Sequence, residues 1–144
     1  MKKIFILLTL FFIIPYVHAQ NTHHSCFLDL SPDEFYLNIN TQEAFLVDVR
    51  LFKDYRKNRI EGALLATNKE SLLSLCTNLD PQTPVYLYCE DGDRSRTAAE
   101  ILCRELNFEK VYNLKGGLRQ WTKQYPLDES RIRKENGFNS DRYK

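Results

Sequence analysis

Residues 84–106 read PVYLYCEDGDRSRTAAEILCREL and place a strand, a short polar loop and a helix in direct succession. The strand, Val85–Tyr88, is β-branched and aromatic, as buried strands usually are. The helix, residues 95–106, carries an apolar side chain at every third or fourth position. Cys89 lies where the strand ends, and ligands of parallel α/β sheets bind at the carboxyl ends of strands. The sequence therefore predicts a functional site around Cys89.

Further strands and helices alternate on both sides of this unit. Short apolar runs ended by polar residues predict strands, and helical spacing of apolar residues predicts helices. The predicted strands are residues 44–49, 62–66, 85–88 and 110–114. The predicted helices are residues 31–41, 69–79, 95–106 and 118–124, and residues 51–58 are expected to form a short polar helix or turn. This alternation predicts an α/β fold of three layers, with a parallel sheet of about five short strands and helices on both faces.

The loop after Cys89 opens a helix, so several backbone N–H groups and the positive end of the helix dipole point at one spot. Such a nest holds an anion and stabilises a thiolate, which makes Cys89 the candidate catalytic nucleophile. The three histidines, His18, His23 and His24, all precede the predicted domain. A Cys–His hydrolase inside the domain is therefore excluded.

The candidate anion-binding loop contains three carboxylates close to the nucleophile. Its residues are Glu90, Asp91, Gly92, Asp93, Arg94 and Ser95. Arg94 and the following Arg96 offset two of the three negative charges. Like charges this close weaken the binding of an anionic donor. If the carboxylates point to solvent instead, their effect is small, because exposed charges interact weakly; both interpretations stay open.

Four stretches of the chain resemble motifs of the rhodanese-like family, and the resemblance covers residues 44–124. Residues 89–95, CEDGDRS, fit its Cys-x-x-Gly-x-Arg-Ser loop. Residues 46–50, LVDVR, resemble its Asp-Val-Arg strand end, and residues 111–117, VYNLKGG, resemble its closing strand and Gly-Gly turn. Residues 59–63, RIEGA, match its Gly-His-Ile-Pro-Gly-Ala segment in part. Each motif is short, but their order and spacing together are specific.

The resemblance implies a rhodanese-like fold and sulfurtransferase activity without a metal or other cofactor. In such proteins the cysteine accepts a sulfane sulfur as a persulfide and passes it to a thiophilic acceptor, such as a thiol or cyanide. It implies that Cys89 is catalytic, that the loop binds the donor, and that Asp48 and Arg50 support the loop structurally. A small sulfur-containing donor is the expected partner, and a thiol-bearing protein is a further candidate.

Two departures from the family pattern affect these expectations. Arg59 and Glu61 replace the His and Pro of the second motif, where we expect a structural consequence only. The carboxylates beside Cys89 disfavour thiosulfate, a dianion, so we expect it to react without being the best donor.

Three other functions are alternatives to sulfur transfer. A non-catalytic rhodanese-fold binding module does not need the intact nucleophile. An exported thiol redox protein commonly carries a Cys-x-x-Cys pair, which is missing here. A cysteine phosphatase of related architecture has five residues between its Cys and Arg, whereas four separate Cys89 from Arg94.

The N-terminal residues have the three-part layout of a secretory signal peptide. Lys2 and Lys3 precede an apolar run over residues 4–14, and Ala19 ends a segment typical of a cleavage site. The run is shorter than the roughly 20 apolar residues of a membrane span, which counts against an uncleaved anchor. We therefore expect an exported protein, periplasmic or secreted. The expected parts are a signal peptide (1–19), a polar lead (20–30), a rhodanese-like domain (31–127) and a polar C-terminal tail (128–144).

Charge and cysteine usage narrow the partners. The net charge is +1, and no run of Lys or Arg exceeds two residues, so nucleic acid is not an expected partner, nor is a membrane after signal cleavage. Export permits disulfides, but Cys76 and Cys103 lie in apolar helical patterns and are expected to stay free. His23, His24 and Cys26 lack a fourth ligand, so no metal site is expected.

Overall fold

The computed structural model describes residues 25–41, 44–125 and 132–134. The predicted signal peptide, residues 1–19, lies outside the described residues, as does most of the polar C-terminal tail. None of the described helices combines the length and apolar character that crossing a bilayer requires.

Five strands form one parallel sheet, whose order across the sheet is residues 28–30, 111–114, 85–88, 45–48 and 64–65, with helices between them. The strands are β1 (Leu28–Leu30), β2 (Phe45–Asp48), β3 (Asn58–Ile60), β4 (Leu64–Leu65), β5 (Val85–Tyr88), β6 (Val111–Leu114) and β7 (Ile132–Lys134). The helices are α1 (Pro32–Thr41), α2 (Phe52–Lys57), α3 (Lys69–Cys76), α4 (Asp93–Leu106) and α5 (Gly117–Gln124). The predicted α/β fold with a parallel sheet of five short strands is confirmed.

Strand β5 shows how one sheet supplies two cores. Successive side chains of a strand point to opposite faces, so Val85 and Leu87 join one buried cluster while Tyr86 and Tyr88 join the other. The first cluster includes side chains of α3 and α4, and the second those of α1 and α5. Both faces of β5 are thus covered, and all four of its residues are buried.

Trp121 of α5 is an anchor of the second core. Its side chain is fully buried and meets the ring of Phe35 edge-on, with the centroids 6.1 Å apart. A buried aromatic side chain of this size contributes about 2–3 kcal/mol to the hydrophobic stabilisation. Trp121 packs in the core, and this packing fixes α5 against the sheet.

Three short strands were not predicted. Residues 28–30, which we assigned to the polar lead, form β1 and pair with β6 at the sheet edge. Residues 58–60 form β3 and pair antiparallel with β7, residues 132–134 of the polar tail. Each strand has only three residues. Their pairing depends on the partner strand rather than on a local hydrophobic pattern, so the sequence contains little sign of them.

Candidate active site

Cys89 directly follows β5, at the carboxyl edge of the sheet, and α4 begins four residues later. Gly92 makes this short connection possible because its φ of 98° lies in the left-handed region that glycine adopts without strain. The N-terminus of the 14-residue helix α4 therefore lies directly beside the loop. This position brings the positive end of the helix dipole close to the cysteine.

The sulfur of Cys89 is surrounded by polar groups of its own loop. The backbone N–H of Gly92 donates a hydrogen bond to Sγ at 3.1 Å, and the Ser95 hydroxyl, 3.3 Å from Sγ and 3.2 Å from the Gly92 carbonyl, is placed to donate to either. On the other side, the thiol donates to Oδ1 of Asp91 at 3.5 Å. The Cys89 side chain is fully buried. The Gly92 N–H and the Ser95 hydroxyl favour a negatively charged sulfur, whereas the Asp91 carboxylate opposes it.

Helix α5 holds the same loop by its backbone. The N–H of Leu118 donates to the carbonyl of Cys89, and the N–H of Arg119 donates to that of Glu90, both at 2.9 Å. These are N–H groups of the first helical turn, which have no partner within the helix. A β-carbon on Gly117 would lie 2.5 Å from the carbonyl carbon of Glu90. Close approach of α5 therefore requires glycine at this position.

Asp48 and Arg50 form a buried ion pair behind the loop. Nη2 of Arg50 lies 2.7 Å from Oδ2 of Asp48, and Nε donates to both carboxylate oxygens. Nη2 also donates to the carbonyl of Asn58 at 2.6 Å, and Nη1 lies 3.5 Å from Oε2 of Glu90. Burial lowers the pKa of Arg50, but the hydrogen bonds and charge of Asp48 outweigh it and raise the pKa overall. Arg50 therefore stays charged and links β2 to the loop.

The three loop carboxylates have different surroundings. Glu90 is half-exposed and turns toward Arg50. Asp91 accepts the backbone N–H of Asp93 at 3.2 Å, and this bond, followed by the bond from the Cys89 side chain, lowers its pKa. Asp93 is exposed in the first turn of α4. Asp91 therefore stays ionised at neutral pH and is the carboxylate in contact with the sulfur.

The two arginines at the end of the loop, Arg94 and Arg96, lie in different surroundings. Arg96 reaches away from the loop to Asp29 of β1, with Nη2 2.6 Å from Oδ2. Arg94 is exposed and lines a mostly apolar cavity of about 240 Å³ together with Val49 and Ala98. Val49 and Ala98 belong to the buried cluster that includes Cys89. The cavity thus joins an apolar wall to a cationic rim on the side of the sheet that holds this cluster, and the Cys89 side chain itself does not line it.

Comparison with known proteins agrees with this geometry. Residues 31–124 match the model of the rhodanese-like domain. The chain belongs to the rhodanese-like family. It is 32% identical over 97 residues to the thiosulfate sulfurtransferase GlpE of Glaesserella parasuis, and the matched stretch covers 67% of this chain and 88% of that protein.

Two solved structures share the rhodanese-like fold. The rhodanese-like domain of an Anabaena protein has a TM-score of 0.61 at 20% identity, covering 77% of this chain and 89% of that one. A thiosulfate sulfurtransferase of Pseudomonas aeruginosa has a TM-score of 0.60 at 23% identity, and the match covers 79% of this chain but 22% of that longer one. At these identities the likeness concerns the fold.

The residues that depart from the family motif lie in and after β3. Arg59 is buried, and its guanidinium lies 4.4 Å from the centroid of the Tyr55 ring. The next residue, Ile60, donates its backbone N–H to the hydroxyl of Tyr88 at 3.1 Å. Glu61 is exposed. In this rhodanese-like domain Arg59 packs on an aromatic ring, and its neighbour Ile60 ties β3 to β5, the strand that leads to Cys89.

Sequence reasoning did not identify the role of α5 in this site. The Gly-Gly pair at 116–117 was recognised as a turn, whereas its contact with the loop depends on how α5 packs. Both glycines adopt a positive φ, 74° and 58°, so a turn alone accounts for the pair and the sequence held no separate sign of the packing contact. Within the described residues, no three His, Cys, Asp or Glu side chains converge as a metal site.

Proposed function

We propose that this rhodanese-like protein is a sulfurtransferase that carries a sulfane sulfur as a persulfide on Cys89. One observation carries the proposal: Sγ of Cys89 receives hydrogen bonds from the Gly92 N–H and the Ser95 hydroxyl at the N-terminus of α4. Both donors stabilise a negatively charged sulfur. A structural cysteine has no need of this arrangement.

In the proposed reaction the Cys89 thiolate attacks the outer sulfur of the donor. The donor S–S bond breaks, and its electron pair leaves with the remaining fragment, which is sulfite when the donor is thiosulfate. An acceptor thiolate or cyanide then attacks the terminal sulfur of the persulfide and releases the Cys89 thiolate. Gly92 and Ser95 stabilise the Sγ thiolate that attacks in the first step and is released in the second, and Asp91 accepts the hydrogen bond of the resting thiol.

The electrostatics of the loop support an organic donor rather than thiosulfate. Asp91 keeps a negative charge 3.5 Å from the sulfur, which opposes a dianion. The apolar cavity beside Arg94 offers room for the carbon part of an organic thiosulfonate or persulfide, with the guanidinium at its rim. The proposed donor is therefore a sulfane sulfur compound with an apolar group.

The activity test is thiocyanate production from cyanide with thiosulfate and, separately, with an aryl thiosulfonate. We expect turnover with both donors and a higher kcat/KM with the thiosulfonate. Cys89→Ser should abolish turnover, whereas Cys76→Ser, at a buried cysteine of α3, should retain it. Turnover that survives Cys89→Ser would contradict the proposal, and no turnover with either donor would favour the binding module or the redox protein.

Export is part of the proposal and is supported by the layout of residues 1–19. An exported sulfurtransferase would act on small sulfur donors and thiol acceptors outside the cytoplasm. N-terminal sequencing of the protein recovered from cells tests this point. A chain that begins at Gln20 is expected, and an intact Met1 in the cytoplasmic fraction would contradict export.

A further inference from the structure

Two of the four cysteines lie side by side, far along the chain from each other. Cys103 is in the third turn of α4, and its thiol donates to the backbone carbonyl of Cys26 at 3.0 Å. Cys26 lies two residues before β1. The contact therefore joins the chain entering the edge strand to the helix that carries the active-site loop at its other end.

The surroundings of the pair differ from those of an ordinary core cysteine. Cys26 is exposed and Cys103 is partly buried. Burial, followed by the side chain of Cys26, raises the pKa of the Cys103 thiol to about 12. Both cysteines line a cleft of about 460 Å³, whose wall includes Arg96 and Arg104. A small oxidant therefore has access to the exposed thiol of Cys26.

The other two cysteines are poorly placed to react with this pair. Cys76 is fully buried in the core between α3 and the sheet. Cys89 follows β5, whereas Cys26 precedes β1, and both strands run parallel in the same sheet. The start and end of parallel strands lie at opposite edges of a sheet. Cys26 and Cys89 are therefore separated by the length of the strands.

We propose that Cys26 and Cys103 form a disulfide that ties the start of β1 to α4 and leaves Cys89 free, in place of the free Cys103 expected from its apolar helical pattern. The Cys26 thiolate attacks an oxidant of the disulfide class, such as oxidised glutathione, and expels one glutathione thiolate. The Cys103 thiol then gives up its proton as its sulfur attacks the Cys26 sulfur of the mixed disulfide, and the second glutathione leaves as the thiol. Two thiols lose two protons and two electrons, and one oxidant disulfide becomes two thiols.

The bridge would reinforce contacts that already hold β1. Asp29 of this edge strand pairs with Arg96 of α4 and accepts the side-chain N–H of Asn113 at 2.7 Å. A three-residue edge strand has few hydrogen bonds of its own. A covalent link at Cys103, about two turns along α4 from Arg96, closes a long loop of the unfolded chain and stabilises the native pairing.

The test uses the full chain, reduced and then treated with oxidised glutathione. Remaining thiols are alkylated, and unreduced proteolytic peptides are identified by mass spectrometry. We expect a linked peptide pair containing Cys26 and Cys103, with Cys76 and Cys89 alkylated after the protein is unfolded. A different pairing, or alkylation of all four cysteines, would overturn the proposal.

Matched variants test what the bridge does. Oxidation should raise the urea midpoint of the wild type and of Cys76→Ser, and Cys26→Ser and Cys103→Ser should both lose this shift. Sulfur transfer by Cys26→Ser should equal that of the reduced wild type, because Cys26 lies where the parallel strands begin and Cys89 lies where they end. If the bridge forms but the midpoint does not rise, the proposed tie between β1 and α4 is wrong.

Discussion

Gly117 packs so closely on the active-site loop that a β-carbon there would lie 2.5 Å from the carbonyl carbon of Glu90 and 2.6 Å from the carbonyl oxygen of Cys89. The next two residues of α5 donate N–H groups to the carbonyls of Cys89 and Glu90. The loop is thus held on one side by α4, whose first turn faces the sulfur, and on the other by α5. The position of the nucleophile depends on both helices.

Substitution of Gly117 by Ala is expected to displace the loop and lower kcat/KM about 100-fold, because small misplacements of reacting groups cost this much. Gly62→Ala is the matched control: Gly62 also has a positive φ, of 83°, but nothing lies within 4 Å of the added carbon. It should lose stability and keep its kcat/KM. Equal activity losses in the two variants would show that backbone strain, not loop displacement, is responsible.

Asp91→Asn should raise kcat/KM for thiosulfate roughly three- to tenfold, because it removes a nearby charge that repels the dianion. Asn keeps the acceptor for the Asp93 N–H. An uncharged organic trisulfide should respond much less. The control is Asp80→Asn. Asp80 accepts the backbone N–H of Gln82, two residues on, before the start of β5, and its substitution should change neither rate. An unchanged thiosulfate rate in Asp91→Asn would mean that the carboxylate does not govern donor choice.

Asp48→Asn should lower the free energy of unfolding by about 3 kcal/mol, because it leaves the buried Arg50 guanidinium without its main partner. The control is Glu105→Gln in the exposed pair with Lys69, where about 1 kcal/mol or less is expected. Urea unfolding measures both values. Similar small losses at the two pairs would contradict the structural role of the buried pair.

The fold should weaken at alkaline pH. Burial raises the pKa of the Cys76 thiol from 9.0 to about 11 and that of Tyr86 to about 12. The native state then keeps protons that the unfolded chain releases, so the free energy of unfolding is full below about pH 9 and falls toward pH 11.

Urea unfolding at several alkaline pH values checks this prediction. In Cys76→Ala the free energy of unfolding should fall less steeply with pH, because unfolding then releases up to one proton fewer. Leu72→Ala removes a buried side chain of the same helix that does not titrate, so it should keep the wild-type slope. Identical slopes in the wild type and Cys76→Ala would exclude Cys76 as a source of the alkaline limit.

The strand, loop and helix around Cys89 could be predicted from the sequence, because each is specified by residues next to one another in the chain. The buried residues of β5 form a continuous apolar run, and the start of α4 lay two residues before its predicted position. The difference arises at Gly92, whose left-handed conformation ends the loop early. The strands β1, β3 and β7 have three residues each, and only their partners in space define them.

The parts of the site that depend on packing could not be predicted from the chain. Charge alone left open whether the loop carboxylates face the site or the solvent; the structure places Asp91 against the sulfur and turns Glu90 toward Arg50. Arg96 was expected to offset the loop acids but pairs with Asp29 of a strand that was not predicted. Cys26 and Cys103 meet for the same reason, since β1 brings Cys26 to α4.

The central claim is that Cys89 carries the transferred sulfur, and the intact mass of the protein after exposure to a sulfane sulfur donor tests it most directly. We predict a gain of one sulfur atom, located on Cys89 by peptide mapping, removed by cyanide, retained in Cys76→Ser and missing in Cys89→Ser. An unmodified Cys89 after treatment with thiosulfate and with an aryl thiosulfonate, or a sulfur gain that persists in Cys89→Ser, would contradict the account.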